Sequence, residues 1–444
     1  MPDHSSVFPR NFRKDYPVAV RGEGCWIISA DGRRFLDAAG QAAVINIGHG
    51  VAEIGRAMAE QSTQLAFAHT SQFHSAPAEK LAARLLQLAP PNFQNGGRVY
   101  FTSGGSEATE TAIKLARQFH LETDQPQRYG VVSRRQSYHG STLGAMSVSG
   151  NVARRAPYQP LLAEWGHVAP CFPYHSATDL RDKDYGLACA NDLEKVLHGP
   201  SGHSAAFVFE PVVGATLGAA VPSDGYVARI AEICRENKIL LIADEIMSGM
   251  GRTGKPFAIQ HWSVEPDIIL VGKGIASGYA PLGAVLVSAR VVEAFERGSG
   301  AFHHGFTYQA HPVSTAAGNA VLDYLETHKL FERVDSISKT LRNDLAPLLA
   351  HPHVGDIRGL GLLIGVELVK DKKSREPFPP VQNIAERIHQ AALEENVLIY
   401  PTQGCVDGLR GDHILLAPPF ILCAEESARI AAVLQSALAK VFPD

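Results

Sequence analysis

Ile239-Leu240-Leu241-Ile242-Ala243-Asp244-Glu245 and Asp267-Ile268-Ile269-Leu270-Val271-Gly272-Lys273-Gly274 set the fold class of this chain. Each is a short, almost wholly apolar run rich in branched side chains. Such runs read as strands buried on both faces, the pattern of a parallel sheet covered by helices. Both end in charged residues, Asp244 and Glu245 on one run and Lys273 on the other. In open α/β sheets ligands gather beyond the carboxyl ends of the strands. Asp244 and Lys273, 29 positions apart in the chain, are therefore expected to face one pocket.

Further apolar runs repeat the rhythm. Val99-Tyr100-Phe101, Gly130-Val131-Val132, Ala206-Phe207-Val208-Phe209 and Gly283-Ala284-Val285-Leu286-Val287 alternate with amphipathic stretches. The expected fold is α/β, a mostly parallel seven-stranded-type sheet between helices, with a smaller α+β domain drawn from both termini. Residues 1–55 read as an N-terminal arm joining that small domain, with a hairpin in which Trp26–Ser29 and Arg34–Leu36 flank the turn Asp31-Gly32. Residues 56–310 form the large domain. Residues 311–444 form the C-terminal small domain and end in a helix over Glu425–Val441.

The 444 residues carry a formal net charge of −4, which gives no electrostatic footprint for nucleic acid or an anionic membrane. No apolar run is long enough to span a bilayer, and Met1–Ser6 lacks the apolar core of a signal peptide. The six cysteines form no C-x-x-C pair, so no metal site is expected. Scattered reduced thiols fit a cytoplasmic location.

After Val99-Tyr100-Phe101 comes Thr102-Ser103-Gly104-Gly105-Ser106-Glu107-Ala108, and then a helical pattern. A Gly/Ser turn opening a helix is an anion site, because the first N–H groups lack partners and the helix dipole favours phosphate. An ordinary βα turn capped by serine has the same local sequence. Tyr138, in Ser137-Tyr138-His139-Gly140, can lie flat on a heteroaromatic ring, or it can be a core tyrosine. His139 reads as structural. Ile246, just past Asp244, suits the opposite face of such a ring. A lysine to hold an aldehyde as a Schiff base, a carboxylate for a protonated pyridine nitrogen and a phosphate cradle together point to pyridoxal 5'-phosphate.

Taken in order, the motifs resemble the class III (subgroup II) aminotransferases of the fold type I pyridoxal phosphate superfamily. They are Phe-Thr-Ser-Gly-Gly-Ser-Glu-Ala (101–108), Tyr-His-Gly (138–140), Glu-Pro-Val-Val-Gly (210–214), Ala-Asp-Glu-Ile (243–246), Gly-Arg-Thr-Gly (251–254), Gly-Lys-Gly (272–274) and Thr-Tyr-Gln-Ala-His-Pro (307–312). Asp-Gly-Arg-Arg-Phe-Leu-Asp (31–37) and Leu-Ala-Pro-Pro-Phe (416–420) extend the match towards both ends. The resemblance implies roles. Lys273 and Asp244 would be catalytic. Ser103, Gly104, Gly105 and Ser106 would cradle the phosphate, and Tyr138 and Ile246 would sandwich the ring. His139 and Glu210 would complete the cofactor site. Thr307 would reach the phosphate of a partner subunit, making the active unit a homodimer or a dimer of dimers.

Two departures bear on substrate. Ala215 stands where relatives acting on ω-amino acids with 2-oxoglutarate often carry glutamate, and Leu415 and Leu416 stand where they place an arginine. Gly411-Asp412-His413-Ile414 instead looks like the amine:pyruvate type, the ω-transaminases. There a mobile loop arginine binds the substrate carboxylate; Arg410 is the corresponding expectation, with a solvated loop cation as its alternative. Ala42 and Ala43 fall where some ω-transaminases have a bulky aromatic, which implies a roomier pocket. The expected reaction is transfer of an amino group from an amine or ω-amino acid to a keto acid, pyruvate or 2-oxoglutarate, by a ping-pong route. A decarboxylase or aminomutase on the same fold is distinguished by the absence of transfer to an added keto acid. A non-catalytic binding homologue would lack a bound chromophore.

Overall fold

The computed structural model describes residues 6–176, 183–199 and 203–443. The start Met1–Ser5, part of the stretch read above for a signal peptide, lies outside them.

The chain enters through three short antiparallel strands, β1 (Ala19–Glu23), β2 (Trp26–Ser29) and β3 (Arg34–Asp37). The Asp31-Gly32 turn joins β2 to β3. Its Gly32 has φ +85°, a conformation that glycine adopts without steric cost.

The seven-stranded sheet follows. Its strands are β4 (Arg98–Thr102), β5 (Gly130–Arg134), β6 (His167–Val168), β7 (Ser204–Phe209), β8 (Leu240–Asp244), β9 (Ile268–Val271) and β10 (Gly283–Val287). Their order across the sheet is β4-β10-β9-β8-β7-β5-β6. Only β10 runs against its neighbours; the pairs β8–β9, β7–β8, β5–β7 and β5–β6 are parallel. Every residue of β7, β8, β9 and β10 is buried, as continuous apolar runs require of strands covered on both faces.

Beyond β10 come the helices Pro312–Thr327 and Leu330–Leu345. A second antiparallel sheet then forms from β11 (Val354–Leu360), β12 (Leu363–Leu368), β14 (Tyr400–Gln403) and β15 (Asp412–Leu416), in the order β11-β12-β15-β14. β13 (Val397–Leu398) pairs with β3, so chain start and chain end share one sheet. The last helix covers Ala424–Val441.

One buried cation explains two motifs that had no assigned role. Arg252, of the Gly-Arg-Thr-Gly segment, has no accessible surface. Its guanidinium donates to the Pro418 carbonyl in the Leu-Ala-Pro-Pro-Phe segment, to the Ile45 carbonyl at 3.1 Å and to Asn46 Oδ1 at 2.7 Å. It also lies over the Phe420 ring, 4.7 Å from its centroid. Burial lowers its pKa to about 9, and Asp37 partly offsets that. These motifs serve to lock the chain's two ends onto the sheet. Among the described residues no helix is long and apolar enough to cross a membrane.

Candidate active site

Strand register places the site. Asp244 is the last residue of β8 and is level with Leu270 of β9, so Lys273 lies three residues past that level on the neighbouring strand end. On the other side Ala243 is level with Phe209 of β7, which puts Glu210 beside Asp244. Ser103–Ser106 follow the end of β4, and Tyr138 and His139 follow the end of β5. Five strand ends thus deliver the predicted cofactor residues to one edge of the sheet.

Lys273 is partly accessible and opens a short 3-10 turn. Its φ is +46°, the left-handed region that a non-glycine residue rarely occupies. Burial lowers its pKa from the ordinary lysine value; Asp244 and Glu210 oppose that shift and Arg154 reinforces it. Among the described residues no ion pair or hydrogen bond engages the Lys273 amine.

Asp244 is 3% exposed. Its Oδ1 accepts from the Ile246 N–H at 3.1 Å, and its Oδ2 accepts from His139 Nδ1 at 2.7 Å. An ionised carboxylate only accepts, so the Nδ1 of His139 carries the proton. His139 is itself buried, and its Nε2 has no partner among the described residues. His139, read from sequence as structural, is therefore what orients the carboxylate. Glu210 is buried too, with Oε2 unpartnered among the described residues; desolvation raises its pKa to about 7, opposed by His139 and reinforced by Asp244.

The Gly/Ser turn opens an 18-residue helix, Gly105–Glu122, with no side chain capping its first N–H groups. An added Cβ at Gly104 would meet nothing within 4 Å, whereas one at Gly105 would lie 2.7 Å from Ile246 Cδ1. Ile246 also packs beside Gly272, the residue before Lys273. Ser106 Oγ accepts from the Ser141 N–H at 3.0 Å, and Ser141 Oγ bonds the Tyr138 hydroxyl at 2.9 Å. Ser103 N–H donates to Glu107 Oε2 at 2.8 Å. The turn, Tyr138, Ile246, Asp244 and Lys273 thus form one connected wall.

The residue set fits pyridoxal phosphate. It offers an uncapped helix N-terminus with open space at Gly104, a free lysine amine, a carboxylate with both oxygens fixed, and orphaned polar atoms on His139 and Glu210.

Two sequence candidates, Thr307 and Arg410, make their contacts away from the Lys273 wall, and a third, Ala43, shares a buried cluster with Val212 and Met247. Thr307 is exposed and lines a surface cavity of about 550 Å³ with His69, Thr70, Ser71 and His304, none of them from the Lys273 wall. Arg410 Nε is paired with Asp407 Oδ2 at 2.6 Å, and both side chains are more than a third exposed. Ala43 is buried and packs with Leu415 and Ala417. It ends a turn in which Gly40, Gln41, Ala42 and Ala43 all have φ between +50° and +65°. Successive left-handed residues cost roughly 1–2 kcal/mol each for L-amino acids.

The family profile described as aminotransferase class-III matches residues 8–438. The chain belongs to the class-III aminotransferases. It is 37% identical to an uncharacterized aminotransferase, YodT, of Bacillus subtilis over 428 residues, covering 96% of each chain. It is 32% identical to a putrescine–pyruvate aminotransferase of Pseudomonas aeruginosa, over 91% of this chain and 86% of that one. In three dimensions it superposes on an (S)-enantioselective omega-transaminase from Thermomicrobium roseum with a TM-score of 0.92 at 37% identity, covering 99% and 97% of the two chains. This class-III member has the fold type I architecture expected from its sequence.

Proposed function

We propose that this aminotransferase uses pyridoxal 5'-phosphate to move an amino group from an amine or ω-amino acid to a keto acid, with pyruvate as first acceptor and 2-oxoglutarate as second. The observation that carries the reading is the meeting of Lys273 and Asp244 at adjacent strand ends, with His139 fixing the carboxylate.

When bound, the cofactor supplies an aldehyde that captures amines and a protonated ring that accepts an electron pair. The N–H groups of Gly105 and Ser106 and the Ser106 hydroxyl hold its phosphate. Asp244 would hold a proton at the ring nitrogen, and His139 keeps that carboxylate aimed. Tyr138 and Ile246 hold the ring plane between them. Lys273 Nζ takes the proton from the substrate carbon that bears nitrogen and delivers it on the same face. Its depressed pKa leaves more free base at working pH than an ordinary lysine has. Glu210, poised near pH 7, serves as the second hydrogen-bonding group on the wall.

Thr307 is exposed and lines a surface cavity that holds none of the Lys273 wall, and Phe67, Phe73 and Tyr308 are exposed apolar side chains. Both features support a homodimer in which Thr307 completes the partner's phosphate site. Five of the six free cysteines are buried, which suits a cytoplasmic protein. A donor–acceptor panel tests the reading. It pairs pyruvate and 2-oxoglutarate with aliphatic amines, diamines and ω-amino acids. Transfer from amines to pyruvate supports it; no transfer to either acceptor from any donor overturns it.

A further inference from the structure

Arg154 had no role in the reading of the sequence. It lies on the short helix Val152–Arg155, where Asn151 Oδ1 accepts from its backbone N–H at 3.0 Å. Its guanidinium carbon stands 4.4 Å from the centroid of the Tyr138 ring. It is also close enough to Lys273 for its charge to bear on that amine. Among the described residues it makes no ion pair.

Three other arginines are engaged. Arg134 donates to the Glu210 carbonyl and lies over Phe209. Arg155 donates to the Ser149 carbonyl at 2.8 Å. Arg410 is held by Asp407. The loop that carries Arg410 packs on the Arg154 helix, since a Cβ at Gly408 would lie 2.7 Å from Val152 Cγ2.

We propose that Arg154 is the binding residue for the substrate carboxylate, that of the keto acid acceptor and of any ω-amino acid donor. The proposal rests on the aminotransferase reading above. A guanidinium laid against an aromatic ring has its plane set but keeps its N–H donors free at the edge. That edge matches a carboxylate in a two-point bond. The Tyr138 platform also connects through Ser141 to Ser106, so the cation is indexed to the same wall that holds the cofactor. Arg154 is exposed, so water solvates it whenever the substrate is an amine without a carboxylate. One pocket can then serve both half-reactions without stranding a buried charge.

The test compares holoenzymes of wild type, Arg154→Gln, Arg154→Lys and Arg410→Gln, with cofactor retention checked by visible absorbance. Each is assayed with pyruvate and with acetaldehyde, the same acceptor without its carboxylate. Propionate, a carboxylate that cannot react, is titrated into each by calorimetry. Arg154→Gln should lower the pyruvate-to-acetaldehyde ratio of kcat/KM by about 30- to 100-fold and weaken propionate to a similar extent. Arg154→Lys, which keeps charge but loses the fork, should fall in between. An equal loss for both acceptors with unchanged propionate binding would overturn the proposal and leave Arg154 as a support for Tyr138. A selective loss in Arg410→Gln alone would overturn it in favour of the loop arginine. Wild-type enzyme inactive towards every acceptor would instead overturn the aminotransferase reading on which the proposal stands.

Discussion

Replacing Asp244 with Asn separates the carboxylate's structural task from its chemical one. Asp244 accepts two hydrogen bonds, from the Ile246 N–H and from His139 Nδ1. Asparagine offers one carbonyl oxygen and one amide. The oxygen can keep the Ile246 bond, and the amide then faces His139. The imidazole accommodates this by moving its proton to Nε2, which has no partner among the described residues, so that Nδ1 becomes an acceptor. Both bonds survive as neutral ones. A charged bond is worth about 1.5–3 kcal/mol and a neutral one about 1, so the fold should lose only about 1–2 kcal/mol. The negative charge beside the ring nitrogen, however, is gone. Breaking a buried charge pair by removing one partner typically costs about 3–5 kcal/mol. Carried into the barrier, that is about 10²- to 10⁴-fold in rate. Rapid-mixing measurement of the amine half-reaction, on enzyme shown by absorbance to be fully loaded, reads this directly. Asp244→Asn should be slower by at least about 100-fold, with its unfolding midpoint little changed. A fully loaded variant within tenfold of wild type would refute the role given to Asp244.

Three further outcomes are expected. Gly105→Ala pushes a methyl group to 2.7 Å from Ile246 Cδ1; Ile246 must then shift, and cofactor affinity followed by absorbance should weaken about tenfold. Mixing Lys273→Ala subunits with Thr307→Asp subunits should restore about a quarter of wild-type activity at equal input, because half of the dimers then hold one intact site; no recovery after proven subunit exchange argues against shared sites. Glu367 is pulled to a pKa of about 2 from its ordinary 4.5: burial opposes the shift, but Arg358, bonded at 2.6 Å, and His175 outweigh it. Because the folded value is the lower one, the stabilisation is present above pH 4.5 and lost as pH falls towards 2. It amounts to about 3 kcal/mol near neutrality, so Glu367→Gln should unfold at lower denaturant at pH 7, with the gap narrowing at pH 3.

Much of this was legible in the sequence because strands buried on both faces leave an unambiguous apolar record. β7, β8, β9 and β10 are each visible as runs, and Asp244 at the end of β8 with Lys273 just past β9 mark a candidate ligand edge. The Gly/Ser turn is legible as the start of a helix, although an ordinary serine-capped βα turn shares its local sequence, and the uncapped N-terminus of Gly105–Glu122 shows only in the structure. What could not be read was the traffic across the sequence. The His139–Asp244 bond spans 105 positions, and nothing in Tyr-His-Gly says which acceptor its imidazole finds. Arg252 looked like part of a motif, yet its purpose depends on carbonyls at 45 and 418. Lys273 and Ala43 adopt left-handed backbone although neither is a glycine. Arg154 was missed because its partner is a ring face, and ring faces leave no pattern in sequence.

The central claim is that Lys273 is the residue that carries the cofactor. Borohydride reduction of the loaded enzyme, followed by proteolysis and mass mapping, tests it most directly. The account predicts a single pyridoxyl-modified peptide containing Val271-Gly272-Lys273-Gly274, absent from Lys273→Ala. Modification at any other lysine, or none on enzyme that carries the chromophore, would contradict it.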